Sequence, residues 1–244
     1  MFFFSKSKPV LKELIEDYVD IHSHLLPGID DGSKDLNMTI ELIQSLKKIG
    51  FSQFTATPHI IKNIWDNDKS QIEALLKTTS ADLMDRGITD PFRAAAEYMM
   101  DDSFSKLLKS EPLLTIKDNY ILVEMSYINP PMQLYDILFE IRVAGYQPIL
   151  AHPERYLFYH SNFGEYKKLK KAGCLLQLNL LSAVGYYGSN VANAAQQLLE
   201  KGMVDLTGSD VHHQNHIKSF EKKTVVKATD ALKEAINNNN EFRF

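Results

Sequence analysis

Seven short segments of the chain end in side chains that seek metal ions, and they recur from near residue 20 to near residue 212. They read Asp20-Ile21-His22-Ser23-His24, Thr57-Pro58-His59, Ala96-Glu97, Val123-Glu124, Ala151-His152-Pro153-Glu154-Arg155, Leu178-Asn179 and Gly208-Ser209-Asp210-Val211-His212. Most follow a run of β-branched or apolar residues. Imidazole nitrogens and carboxylate oxygens suit Zn, Mn or Fe, and the sequence does not choose among them. No thiolate accompanies them, which excludes a cysteine-rich structural zinc site. Donors dispersed along the chain but repeatedly set at strand ends point to one polynuclear centre. Two ions sharing a carboxylate would hold a water between them and turn it into hydroxide at neutral pH, which is hydrolytic chemistry.

Each segment also has a plainer reading. His22 and His24, two apart on a strand, point to the same side. Asp20 lies one step back and could orient an imidazole. Alone, this pattern fits ordinary polar strand residues equally well. The tight loop Leu26-Pro27-Gly28-Ile29-Asp30-Asp31-Gly32 follows, and one of its aspartates could turn back to the metals. By itself it reads as an acidic loop before a helix. His59 alone reads as structural or exposed. Glu97 and Glu124 are harder to dismiss, because a carboxylate in an apolar strand is costly unless paired or bound to a cation. His152 can ligate, and the planar fork of Arg155 suits phosphate oxygens. Glu154 points the other way, as a salt-bridge partner. Asp210 and His212 repeat the two-residue spacing. These assignments use five of the eight histidines and leave His160, His213 and His216 as surface or pocket-rim residues. The donors outnumber what one ion can hold, so two or three are implied.

The elements that must position these groups alternate in type. Strands are predicted over 18–24, 51–58, 92–98, 120–125, 147–151, 175–180 and 204–208. Helices are predicted over 36–49, 71–84, 132–144, 163–171, 190–201 and about 224–236, with short helical pieces from 99 to 109. Several helices end at a glycine, as helices commonly do. Strand–helix alternation implies parallel strands with right-handed crossovers. Seven such units favour a closed or nearly closed barrel, whose chemistry collects at the C-terminal strand ends. Every candidate donor falls there.

Length and composition agree with one such domain over residues 1–244. A net charge of −4 argues against nonspecific nucleic-acid binding. The single cysteine, Cys174, permits no internal disulfide and suits a reducing cytoplasm. The opening Met1-Phe2-Phe3-Phe4 is too short for a signal-peptide core, and no stretch approaches the length of a membrane span. Phe2, Phe3 and Phe4 beside Lys6 and Lys8 could touch a membrane surface loosely.

Taken together, Asp-Ile-His-Ser-His followed by Asp-Asp-Gly, then Thr-Pro-His, Ala-Glu, Val-Glu-Met-Ser, Ala-His-Pro-Glu-Arg-Tyr and Gly-Ser-Asp-Val-His resemble the polymerase and histidinol phosphatase (PHP) superfamily. Within it the match is to bacterial manganese-dependent tyrosine phosphatases of the CpsB/YwqE type, over nearly the whole chain. The resemblance implies a distorted seven-stranded (β/α)7 TIM-like barrel and two or three divalent ions, Mn above Fe or Zn. By analogy His22, His24, Glu97 and Asp210 hold one ion, and Glu97 bridges to a second held by Glu124 and His152. Asp31, His59 and His212 hold the third, Asp31 being preferred to Asp30 by the family's spacing. Arg155 binds the phosphoryl group and, with Asp31 and His212, serves catalysis. Such enzymes often carry a second arginine after the Asp-x-His. Here 213–219 contains none, and Lys218 or His216 is the candidate substitute.

The implied reaction is hydrolysis of protein phosphotyrosine by a metal-bridging hydroxide, with a tyrosine-rich kinase tail controlling capsule or exopolysaccharide synthesis as partner. A cysteine-dependent phosphatase is excluded, since Leu180 stands where its arginine would follow Cys174. Two alternatives stay open: a small-molecule phosphatase such as one for histidinol phosphate, and a catalytically silent metal-stabilised scaffold. A nuclease fits worse, because the chain is acidic and has no basic, base-stacking groove.

Overall fold

Short strands alternate with amphipathic helices over residues 8–244, the part that the computed structural model describes. The strands are β1 (Tyr18–Ser23), β2 (Phe51–Ala56), β3 (His59–Ile60), β4 (Phe92–Ala94), β5 (Glu97–Met99), β6 (Tyr120–Glu124), β7 (Gln147–Ala151), β8 (Leu175–Asn179) and β9 (Leu206–Gly208). The helices are α1 (Leu36–Ile49), α2 (Lys69–Asp85), α3 (Asp102–Ser110), α4 (Leu134–Val143), α5 (Gly164–Lys171), α6 (Ser189–Glu200), α7 (Gln214–Ser219) and α8 (Thr229–Asn238). Aspartates start three of them. Asp35 accepts from Met38 N, Asp68 from Gln71 N, and Asp101 from Ser103 N and Phe104 N; each such cap stabilises by about 1 kcal/mol. Helix α1 stops at Gly50 (φ 121°), where an added Cβ would lie 2.7 Å from the Ile15 carbonyl oxygen.

Every pairing between named strands is parallel. The strand order is β1-β2-β4 in a three-stranded sheet and β3-β5-β6-β7-β8-β9 in a six-stranded one. The seven strands expected from the sequence are therefore nine, in two sheets instead of one closed ring. The second expected strand stops at Ala56, with a further two-residue strand, β3, beyond its expected end, and the third breaks in the middle. Pro58 has no N–H to continue the ladder, and after Ala94 the chain changes sheets, so that Ala95 N bonds Ala56 O while Glu97 N bonds Pro58 O. The first sheet meets the end of the second through a Ser23–Val211 bridge, with His24 N on Val211 O (3.0 Å) and Asp210 N on His22 O (2.8 Å). The last helix starts later than expected, because Thr224 N is engaged by Pro9 O and Val225 N by Ala183 O.

Between the strands lies a small apolar cluster that includes Val19, Ile21, Leu122, Ile149 and Leu206, joined by Phe242 from the C-terminal turn. A larger one, with Cys174 in it, fills the space between strands and helices. The two-residue strand period leads from the inner cluster to the chemistry: Leu122 is followed by Glu124, and Leu175 by Gln177 and Asn179. Among the described residues no helix is long and apolar enough to cross a membrane. Phe2, Phe3 and Phe4, considered for membrane contact, lie outside the described residues.

Candidate metal centre

Glu97, at the start of β5 and fully buried, is the hub. Its Oε2 stands 3.3 Å from His22 Nε2, 3.5 Å from His24 Nε2 and 3.2 Å from His59 Nδ1. Its Oε1 is 3.0 Å from His152 Nε2. On one side Asp210 Oδ1 faces His22 Nε2 at 3.3 Å and His24 Nε2 at 3.4 Å. On the other, Glu124 Oε1 faces His59 Nδ1 at 2.9 Å. Asp31 Oδ1 reaches His59 Nε2 (3.6 Å) and His212 Nε2 (3.4 Å). Three sets thus have donor atoms close enough to share an ion: His22, His24 and Asp210; His59, Glu97 and Glu124; and His24, Asp31, His59 and His212. All nine donors singled out in the sequence come together, whereas Lys218 has no contact with them among the hydrogen bonds and ion pairs of the described residues. It is exposed on α7, and its side chain makes no ion pair among the described residues.

The backbone is bent to make this possible. His152 (φ 37°) and Asp210 (φ 50°) both adopt the left-handed region, which costs a non-glycine residue of order 1–3 kcal/mol and is tolerated where surrounding structure enforces it. Gly208 allows the close approach, since a Cβ there would come within 2.6 Å of Gln177 Oε1 and 2.8 Å of His22 Cβ.

Behind the donors stand residues whose role the sequence did not disclose. Gln177 Oε1 holds His22 Nδ1 at 2.7 Å, and Asp30 Oδ2 holds His24 Nδ1 at 2.7 Å. Each fixes a ring so that Nε2 faces the cluster. Asp20, expected to orient an imidazole, instead accepts from Ser209 N (3.1 Å) and Ser209 Oγ (2.5 Å), joining β1 to the end of β9. Among the described residues Glu154 forms no salt bridge. It is buried and accepts from Asn179 N (3.0 Å) and Ser182 Oγ (2.6 Å), because the turn after left-handed His152 swings it inward. His216, expected at the surface or pocket rim, is buried and places Nδ1 3.2 Å from both Asp210 O and His212 N, beside the donors.

The chemistry of the donor set fits divalent cations. Among the described residues, His22 Nε2, His24 Nε2, His59 Nδ1, Glu97 Oε2 and Glu124 Oε1 are buried without a well-formed hydrogen bond, a state that buried polar atoms rarely tolerate. Burial, and then the charge of Glu97, push the Glu124 carboxyl up to about 7, the sign of two acids forced together without enough positive charge. Burial, and then Arg155, lower His152 to about 4, leaving a neutral imidazole free to donate a lone pair. For His22, burial opposes the charged form, but Glu97 and Asp210 outweigh it and raise the ring to about 10.

At the edge of the cluster Arg155 Nη1 donates to Asp210 Oδ2 at 2.8 Å. Its guanidinium lies 4.2 Å from the Tyr187 ring centroid and 4.8 Å from that of Tyr127. Asn179 Nδ2 bonds the same Asp210 oxygen (2.8 Å) and the Tyr187 hydroxyl (3.1 Å). The Arg155 side chain keeps 20% of its surface open.

The family model for capsular polysaccharide synthesis, CpsB/CapC, matches residues 18–239. The chain belongs to the CpsB/CapC family. That match encloses every donor from His22 to His212. Among curated CpsB/CapC relatives, the putative tyrosine-protein phosphatase CapC of Staphylococcus aureus is 26% identical over 195 residues, covering 80% of this chain and 76% of its own. The tyrosine-protein phosphatase CpsB of Streptococcus pneumoniae is 27% identical over 208 residues, covering 80% and 83%. The fold matches crystal structures of YwqE from Bacillus subtilis and CpsB from Streptococcus pneumoniae, described as metal-dependent tyrosine phosphatases. The TM-score is 0.75 at 24% identity, covering 90% of this chain and 94% of the other.

Proposed function

We propose that the chain is a metal-dependent protein-tyrosine phosphatase, one domain over 1–244, whose two parallel sheets follow a PHP-type, barrel-like arrangement. The observation that carries the reading is the convergence of unpartnered, buried imidazoles and carboxylates on Glu97, with a half-sequestered arginine at the rim. The tyrosine phosphatases among its relatives support it. His22, His24, Asp210 and Glu97 would hold one ion, Glu97, Glu124 and His152 a second, and Asp31, His59 and His212 a third, Mn being preferred. Bound ions would supply Lewis acidity and an activated water.

The chain's own residues do the rest. Arg155, held in place by Asp210, Tyr127 and Tyr187, binds phosphoryl oxygens and balances the charge that grows on them. Asp31, His212 and His59 have side chains 57%, 15% and 13% open, against 0–3% for His22, His24, Glu97, Glu124, His152 and Asp210, so this set faces the substrate. The leaving phenolate has a pKa of about 10 and needs little proton donation. No second arginine is needed for charge if Arg155 is the sole fork. The physiological substrate we propose is a cytoplasmic tyrosine kinase of capsule or exopolysaccharide synthesis.

The test compares a phosphotyrosyl peptide with histidinol phosphate, using Mn²⁺-loaded protein. Rapid peptide hydrolysis, abolished in His24→Ala, is expected. Turnover of the alkyl phosphate alone would transfer the protein to small-molecule chemistry, and turnover of neither would leave a scaffold.

A further inference from the structure

A cleft of about 970 Å³ opens outward from the metal centre, with Asp31, His59 and Glu124 at its inner end. Two walls flank it. One is a tight turn closed by Ile61 N on Trp65 O (3.0 Å) and Trp65 N on Ile61 O (2.8 Å). Asn67 ties the turn to the centre by donating to His59 O (2.9 Å) and Ile29 O (3.0 Å). The other wall is the loop after β6. The walls present Ile64, 67% exposed, against Ile128, 85%, and Met132, 102%. None of these three joins either apolar cluster of the core. Exposed apolar side chains gathered around one groove, unlike scattered ones, mark a binding surface.

The charges along the cleft narrow the occupant. Asp101 and Asp102 line it, and its one lysine, Lys62, is engaged with Asp66 at 2.8 Å. An acidic partner would meet repulsion there. In an extended segment residues two apart face the same way, about 7 Å along the chain at ~3.3 Å per residue. Such a side chain would lie along the same cleft, whose lining includes Ile64, Ile128 and Met132 and whose inner end holds the phosphate.

We propose that the walls formed by Ile64, Trp65, Ile128 and Met132 select an extended phosphotyrosyl segment with an apolar residue two positions from the phosphotyrosine and no acidic residue beside it. This rests on the phosphatase reading and adds the sequence class of its substrate.

Trp65 is the chain's single tryptophan, so its emission reports on one wall without any turnover. The experiment titrates Mn²⁺-loaded protein with peptides carrying a non-hydrolysable phosphotyrosine mimic, flanked two positions away by leucine, serine or glutamate. The leucine peptide should shift Trp65 emission and bind about tenfold more tightly than the serine peptide, the scale for filling an apolar subsite. The glutamate peptide should bind weakest. In the double variant Ile128→Ser, Met132→Ser, checked for an unchanged Tm, the leucine-over-serine ratio should collapse to about one. Equal affinities in the parent protein, or a ratio that survives the double variant, would overturn the proposal. So would self-association that shifts Trp65 emission while the peptides do not, since a second copy would then be the occupant. Hydrolysis of phosphotyrosyl peptides without flank preference would refute the wall assignment and spare the phosphatase reading. Flank-selective binding with no hydrolysis of any peptide would do the reverse.

Discussion

Arg155→Lys keeps the charge and removes the fork. Nη1 donates to Asp210 Oδ2 at 2.8 Å, and the guanidinium plane rests between Tyr127 and Tyr187. A hydrogen bond to a charged group contributes about 1.5–3 kcal/mol, and a partly exposed cation–π contact about 0.5–1 kcal/mol. Lysine can restore part of the Coulomb attraction but cannot contact Asp210, two rings and a phosphoryl group at once. The net loss should therefore fall near 1.5–3 kcal/mol, roughly 10–150-fold in kcat/KM. The assay is steady-state hydrolysis of a phosphotyrosyl peptide, run beside inhibition by inorganic phosphate and elemental analysis of bound Mn. The expected pattern is a lower kcat/KM and weaker phosphate inhibition at unchanged metal content. Kinetics within about threefold of the parent would refute the reasoning outright. An equal loss of metal would mean that Arg155 acts by holding Asp210 and not by binding phosphate.

Chelation should lower the Tm, since a ligand present at 100 times its Kd stabilises by about 2.7 kcal/mol; a Tm indifferent to Mn²⁺ and chelator would contradict a cation at the buried, unpartnered atoms. Gly208→Ala should cost about 1–3 kcal/mol and reduce Mn affinity together, read by denaturation and metal titration, because the new Cβ would collide with Gln177 and His22. Burial pushes Glu154 up to about 7 from 4.5, against the opposing hydrogen bonds from Ser182 and Asn179. Between those pH values the folded state holds a proton that the unfolded chain has released, so this group's stabilisation is lost as pH rises. Glu154→Gln removes that slope, and its stability gain over the parent should grow from pH 4.5 to 7 and then level off; a difference that is flat with pH would show that Glu154 is ionised in the fold. Burial also pushes the Cys174 thiol up to about 12, so a thiol reagent at pH 8 should label it only after unfolding, and rapid labelling of the native protein would place it outside the core.

The donor segments were legible because strand ends can be read from apolar runs, and because residue type alone names a ligand. What supports them was not. Gln177 lies 155 residues from His22, and nothing in a strand glutamine announces the ring it will hold. Glu154 was misjudged because alternation along an extended chain was carried past His152, where a left-handed residue resets the direction. Helix α7 is too short to show a period, so His216 could not be assigned an inner face. The strand count failed for a similar reason. Apolar runs through Pro58 and Ala95-Ala96 look continuous, and only the hydrogen bonds reveal that the ladder passes from one sheet to the other there.

The seam between β1 and the end of β9 has a consequence for the order of events during synthesis. Asp20 and Ser209 are 189 residues apart, so at ~5–20 residues per second roughly 10–40 s separate the appearance of the first histidines from that of their carboxylate Asp210. A nascent chain arrested before that point carries His22, His24 and Glu97 without the Asp210 that completes their set. Ribosome-bound intermediates should therefore take up divalent cations poorly, and loading should come as the final act of maturation, after Asp210 and His212 are made.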